Sequence, residues 1–255
     1  MKREDSEAAD QPSDTRNPVA LVVGAGDAIG SAIARRFATS GMTVCAARRN
    51  ADKLESLMAE LAEAGCIAHA FACDARKEES VEALFAQIEA DIGPIEVVVF
   101  NVGANVPLGI LETDTRKFFK IWEMACFAGF LTGREAARTM TRRGHGTLIF
   151  TGATASVRGA AGFAAFASAK AGLRALAQSM ARELGPQNIH VAHVVIDAAV
   201  NTEWVRDMLP DFDGLIEKDG VVNPDELAQN YLWLHQQPRS SWTFELDVRP
   251  WVETW

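Results

Sequence analysis

Apolar and polar positions switch between two periods along the chain, and the switching repeats from residue 19 onward. Val19 to Val23 is an unbroken apolar run of the length that a strand buried on both faces needs. Glycines punctuate residues 24 to 30, and Ile29, Ile33 and Phe37 recur at helical spacing. Further strands are predicted at Thr43 to Ala47, Ile67 to Cys73, Ile95 to Phe100, Thr147 to Phe150, Val191 to Ile196 and Thr243 to Val248. Helical patterns fall between them. Ala51 to Ala64 carries Leu54, Leu57, Met58 and Leu61 on one face, and Val81, Leu84, Phe85 and Ile88 mark a helix ended by Gly93-Pro94. Long helices cover Thr115 to Arg142 and a stretch ending at Gly185-Pro186, and a last one carries Leu227, Tyr231 and Leu234. Strands separated by helices imply right-handed βαβ units. The prediction is an α/β fold in which residues 18–255 form a single-domain, Rossmann-type, doubly wound parallel β-sheet with helices on both faces. Residues 1–17, polar and rich in charge, are expected to be a disordered N-terminal arm.

The glycines bring the first chemistry. Gly24, Gly26 and Gly30 remove side chains where the backbone turns sharply and can approach a pyrophosphate, with Asp27, Ala28 and Ile29 between them at the helix start. A dinucleotide is the natural ligand, and a turn that uses glycine only for geometry is the alternative. Ligands of such sheets bind beyond the carboxyl ends of the strands, so the turns after the first, fourth, fifth and sixth strands should hold the chemistry. The second strand ends in Ala47-Arg48-Arg49, where an NAD site usually places an acid for the ribose. Arg48 and Arg49 suit a 2'-phosphate, so NADP(H) is expected to be preferred, with NAD(H) still possible and Asp27 an opposing hint.

Composition narrows the classes. A length of 255 residues suits one α/β domain, and a net charge of -9 argues against a nucleic-acid partner. No segment approaches the ~18 apolar residues of a membrane span, and the N-terminal residues lack the apolar stretch of a secretion signal. A cytoplasmic protein is expected. Cys45, Cys66, Cys73 and Cys126 show no C-x-x-C spacing and read as reduced thiols. His69, His145, His190 and His235 have no partners at metal-ligand spacing, so no metal site is expected, and His193 reads as a packed side chain inside a strand.

From residue 17 to the end the chain resembles the short-chain dehydrogenase/reductase family. The resemblance rests on Val23-Gly24-Ala25-Gly26-Asp27-Ala28-Ile29-Gly30 against T-G-x-x-x-G-x-G, on Phe100-Asn101-Val102-Gly103 against N-N-A-G, and on Lys170 of Phe166-Ala-Ser-Ala-Lys170 against Y-x-x-x-K. It implies that Asp74 and the adjoining Ala75 meet the adenine, that Asn101 and Gly103 flank the cofactor, that Thr202 contacts the nicotinamide amide, and that Lys170 holds the nicotinamide ribose. The catalytic positions depart from the family. Tyrosine is replaced by Phe166, the serine thirteen residues earlier by Ala153, and the tetrad asparagine by Ala125, or by Cys126 with a one-residue slip. The usual Pro-Gly before Thr202 is Asp197-Ala198, and the chain's only tyrosine is Tyr231.

Carbonyl reduction needs a proton for the developing alkoxide, which a positioned acid typically accelerates by about 10²- to 10⁴-fold. The candidates to replace the hydroxyl are Ser156, if turned into the pocket, and Asp197, if partial burial raises its pKa; turn duty for the one and a structural hydrogen bond for the other are the competing readings. Thr154 and Ser168 are nearby hydroxyls of the same kind. Trp204, Met208, Leu209 and Phe212 lie in the expected substrate loop, residues 200–222, as an apolar cover, or as plain core or oligomer contacts. Trp242, Trp251 and Trp255 surround the last strand, where many family members form an oligomer, so a homodimer or homotetramer is expected. Three functions stay open. One is an atypical NAD(P)(H)-dependent oxidoreductase acting on a small, largely apolar carbonyl, alcohol or related unsaturated substrate. The others are an NADP(H)-binding pseudoenzyme or sensor, and a non-redox acid-base enzyme.

Overall fold

The computed structural model describes residues 16–103 and 105–254. Among the described residues, seven parallel strands form one sheet in the order β3-β2-β1-β4-β5-β6-β7: β1 (Val19–Val23), β2 (Thr43–Arg48), β3 (Ala68–Ala72), β4 (Ile95–Phe100), β5 (Gly146–Thr151), β6 (Ile189–Ile196) and β7 (Glu245–Val248). Strand order reverses between β1 and β4, and the reversal opens a crevice at their carboxyl ends. The predicted doubly wound α/β sheet is the observed one.

Both faces are buried, which is why β1 reads as an uninterrupted apolar run. One core holds Leu21, Phe85, Ile88, Val98, Phe100, Leu131, Phe150 and Leu173. The other, across the sheet, holds Val22, Ile33, Phe37, Val99, Ile149, Val194 and Tyr231. Helices α1 (Ile29–Thr39), α2 (Glu55–Glu63) and α3 (Glu78–Asp91) follow the first three strands. The predicted third strand loses a residue at each end, consistent with its place at the sheet edge, where little packing supports it.

The predicted helix from Thr115 to Arg142 is interrupted. It runs as α4 (Thr115–Trp122), a π-helical turn at Glu123–Phe127, and α5 (Ala128–Arg143). The extra residue of such a turn shifts which side chains face the sheet, and apolar periodicity alone does not show it. Helix α6 (Ala164–Leu184) packs beside it, and α9 (Pro224–His235) lies against α1. Residues 200–222 are not simply loop: α7 (Glu203–Met208), capped by Thr202, and α8 (Phe212–Ile216) occupy them.

The expected disordered arm is corrected at its end, while residues 1–15 lie outside the described residues. Arg16 donates to the Glu89 and Ala90 carbonyls at 3.0 Å each, placing a cation on the negative C-terminal end of α3.

The junction of β1 and α1 has no spare volume. A Cβ on Gly30 would press on the Gly24 carbonyl oxygen and lie 2.7 Å from Ala25 Cα, both backbone atoms that cannot rotate away. Gly30→Ala should therefore lower stability by roughly 1 to 3 kcal/mol, the usual cost of overpacking, despite alanine's better helix propensity. Urea denaturation checks this, and an unchanged midpoint would show that the helix start can slide.

Candidate functional site

The turn after β1 is fixed from both sides. Gly24 and Ala25 donate to the Ala47 carbonyl of β2 at 2.8 and 3.1 Å, and Asn101 at the end of β4 donates from its amide to Val23 O at 2.8 Å and from Nδ2 to Gly24 O at 3.0 Å. Gly24 has φ +91°, and a Cβ there would meet the Asn101 backbone at 2.8 Å, so only glycine fits. Gly26 differs, since nothing lies within 4 Å of where its Cβ would be. A side chain there would fill the cleft itself. Helix α1 starts with no side-chain cap, leaving its positive end beside the cleft-lining residues Gly26, Ala28, Ile29 and Gly30.

Two lobes meet at Gly24, Gly26, Asn101 and Gly103. The first, a cavity of about 600 Å³, takes in Arg48, Arg49, Lys53, Asp74, Ala75 and Arg76. Its character is basic. Arg49 is exposed, whereas Arg48 already pairs with Asp27 at 2.8 Å, with the Asp27 side chain 83% exposed. Such surface pairs are worth about 0 to 1 kcal/mol, so an incoming phosphate can compete for Arg48. Asp74 is held by both nitrogens of an Arg76 fork at 2.8 and 2.7 Å, and this hydrogen bonding holds its carboxyl below the usual range. Sequence reading missed Arg76 and Lys53, although the Asp74-Ala75-Arg76 spacing carries the signal.

The second lobe, about 660 Å³, is walled by Ala153, Phe163, Phe166, Val205, Met208 and Leu209, with Lys170, Thr151 and Thr202. Met208 and Leu209 thus cover the cleft while Phe212 is buried, and the side chain of Trp204 lies outside the described residues. Thr202 lines the lobe and caps α7, accepting from the Val205 amide at 3.1 Å. Lys170 is buried at 3% exposure, and its Nζ donates to Thr151 O at 2.8 Å and Val102 O at 3.4 Å. Burial pushes its pKa down to about 8. One turn earlier on α6, the Phe166 ring lies 6.0 Å from Nζ. Ala125 and Cys126 sit in the π-helical turn, both buried, and burial pushes the Cys126 thiol up.

Ser156 and Asp197 are corrections. Ser156 accepts from the Ala153 amide at 3.1 Å and is buried beneath Gly152 on the His193 side, away from the cleft lining. It serves the 3₁₀ turn at Thr154–Ser156. Asp197 is 2% exposed and off the lining; it accepts from Thr154 Oγ1 at 2.6 Å and Arg158 at 3.0 Å and faces Arg249 at 3.7 Å. Both hydrogen bonds fall on Oδ1, and Oδ2 is the oxygen that faces Arg249, so the carboxylate is turned toward these groups and not toward the cleft. Arg158, which lines the second lobe, gave no local sequence signal, because its partners come from β6 and beyond. Tyr231 is fully buried against Thr151 Oγ1 at 2.8 Å, with its phenol pushed up by burial. His193 is packed as expected, bonded to Glu245 at 3.0 Å. Around the last strand, Trp242 stacks on His190 at 4.9 Å, Trp251 is 80% exposed, and Trp255 lies outside the described residues.

The short chain dehydrogenase family model matches residues 18–211. A crystal structure of a short-chain dehydrogenase from Rhodopseudomonas palustris is 52% identical, covers 92% of this chain and 100% of its own, and superposes with a TM-score of 0.80. A metagenomic short-chain oxidoreductase solved in complex with NADP is 26% identical over 92% of this chain and 98% of its own, with a TM-score of 0.79. The 2-dehydro-3-deoxy-D-gluconate 5-dehydrogenase of Formosa agariphila is 30% identical over 179 residues, 70% of this chain and 68% of that protein. The chain belongs to the short-chain dehydrogenase/reductase family of oxidoreductases.

Proposed function

We propose that this protein is an NADP(H)-dependent oxidoreductase that reduces a small, largely apolar carbonyl, or runs the reverse oxidation, with a non-standard proton source. The observation that carries the reading is the two-lobed cleft: a basic lobe joined across the glycine turn to an apolar lobe with one buried lysine. The residues fit a nicotinamide dinucleotide. Gly26 and the start of α1 would take the pyrophosphate, Asp74 and Ala75 the adenine, Arg48 and Arg49 a 2'-phosphate, and Thr202 and Lys170 the nicotinamide half. When bound, the cofactor supplies a hydride. The apolar wall excludes water and accepts a substrate with little polar surface. NADP in a 26% identical relative, and 3-oxoacyl-[acyl-carrier-protein] reductases among the relatives, support the reading.

A cofactor-binding pseudoenzyme or sensor is the second reading, favoured by Ala153 and Phe166 where the family carries hydroxyls. We also assign the protein to a homodimer or homotetramer. Phe119, Trp122, Phe127 and Phe130 form a stacked ladder along α4 and α5 with centroids 6.4, 6.2 and 6.0 Å apart, and Phe119 is 58% exposed.

Three outcomes test the proposal. Calorimetric titration should find NADPH bound more tightly than NADH. Replacing Arg48 and Arg49 together by alanine should weaken NADPH by about ten-fold or more, the loss of a charged hydrogen bond, and leave NADH nearly unchanged. Equal loss for both cofactors would remove the 2'-phosphate assignment. Ala153→Ser with Phe166→Tyr should place an oxyanion donor and a phenol beside Lys170 and raise NADPH-dependent ketone turnover at least about ten-fold. A folded, NADPH-binding double variant that reduces nothing across a broad carbonyl panel would favour the pseudoenzyme.

A further inference from the structure

Resting on the reductase reading, we propose that the Lys170 ammonium is itself the general acid of this site, delivering the proton to the substrate oxygen and taking it back in the reverse direction. The substrate lobe leaves few alternatives. Thr151 Oγ1 is engaged by Tyr231 at 2.8 Å, Thr154 Oγ1 donates to Asp197 at 2.6 Å, and Thr202 Oγ1 caps α7. Aliphatic hydroxyls are in any case acids about as weak as water. The Arg158 guanidinium does not deprotonate in proteins, and Asp27, at the glycine turn, pairs with Arg48. Ser156 and Asp197 are off the lining.

Lys170 has the placement the task requires. An ammonium carries three N–H donors, and the Thr151 and Val102 carbonyls take two of them. These bonds fix Nζ at the junction of the lobes, 3.9 Å from where a Cβ on Gly103 would stand, with the third donor available. Among the described residues no carboxylate lies within ion-pair distance of Nζ. The groups that face it are the Cys126 thiol from the π-helical turn, the Phe166 ring on its own helix, and His193 from β6. His193 is pushed down to about 4 by burial and is therefore neutral at pH 7; Glu245, its partner, is forked by Arg174 at 2.6 and 2.7 Å. Without a carboxylate counter-ion, burial pushes Lys170 down to about 8 against an opposing charge effect of Cys126, so the proton it carries at pH 7 is readily given up.

The step balances. The substrate carbon gains a C–H bond as the C–H bond of the reduced nicotinamide breaks, and that hydride brings the electron pair. The C=O π pair moves onto oxygen, an N–H bond of Lys170 breaks as the O–H bond forms, and water reprotonates the neutral amine.

The cofactor-free protein tests this first. NMR of protein labelled with 13C at the lysine ε-carbon should show one lysine titrating near pH 8, well below the ordinary lysine range, and that signal should vanish in Lys170→Arg. The loaded enzyme tests it next, with 2,2,2-trifluoroacetophenone as substrate. Its kcat/KM should fall above pH 8 as the ammonium is lost. Lys170→Arg keeps the charge but cannot release a proton, and should lower kcat by about 10²-fold or more while NADPH binding changes far less. Lys170→Met, close in shape, should lose the same turnover if the arginine variant does not fold. A Lys170 midpoint near 10, or a folded variant that keeps kcat and the alkaline fall, would overturn the proposal and leave the reductase reading standing. Unmodified protein that binds NADPH yet reduces no carbonyl would overturn both.

Discussion

The site depends on the close meeting of β1, β4 and α1 at the glycine turn. Gly24 O receives the Asn101 side chain at 3.0 Å while a Cβ on Gly30 would press on that same oxygen. The carboxyl end of β1 is thereby tied to both neighbouring strands, since Gly24 and Ala25 also bond β2. Such packing leaves the turn no freedom to close over the crevice. The gap at Gly26 follows from it, and so does the placement of the basic lobe on one side and Lys170 on the other.

The substrate half is organised by polar groups that are engaged elsewhere. Asp197 fastens the segment after β6 to Arg158 and Arg249, and Tyr231 fastens α9 to Thr151. Ser156 braces the turn after β5. Each is buried and partnered, which rigidifies the wall of the cleft while withholding these groups from chemistry. Lys170 is the exception, buried yet bonded only to backbone carbonyls, whose partial charges offset little of the cost of desolvating an ammonium.

Legibility in the sequence followed how local each determinant is. The apolar run Ile95 to Phe100, bounded by Gly93-Pro94 and Asn101, gave β4 at both ends. Gly24 was legible from the glycine spacing of one strand-turn-helix unit, whereas Asn101 and Lys170 were legible only through family motifs, since their partners lie on other strands. The π-helical turn at Glu123–Phe127 was invisible, because an added residue does not disturb an apolar stretch enough to show. The short helices α7 and α8 were missed for a related reason, being too brief for periodicity to register. The side-chain directions of Ser156 and Asp197 were unreadable in a stronger sense: the first depends on a backbone amide three residues away, the second on guanidiniums from two other segments.

The central claim is that this cleft moves a hydride between the nicotinamide and a carbonyl carbon. The most direct measurement uses NADPH carrying deuterium at the nicotinamide C4 position that is transferred, with mass spectrometry of the alcohol formed from 2,2,2-trifluoroacetophenone. The account predicts one deuterium on the carbinol carbon and oxidised cofactor in equal amount. Alcohol without deuterium, or bound NADPH that stays reduced in the presence of the ketone, would contradict it.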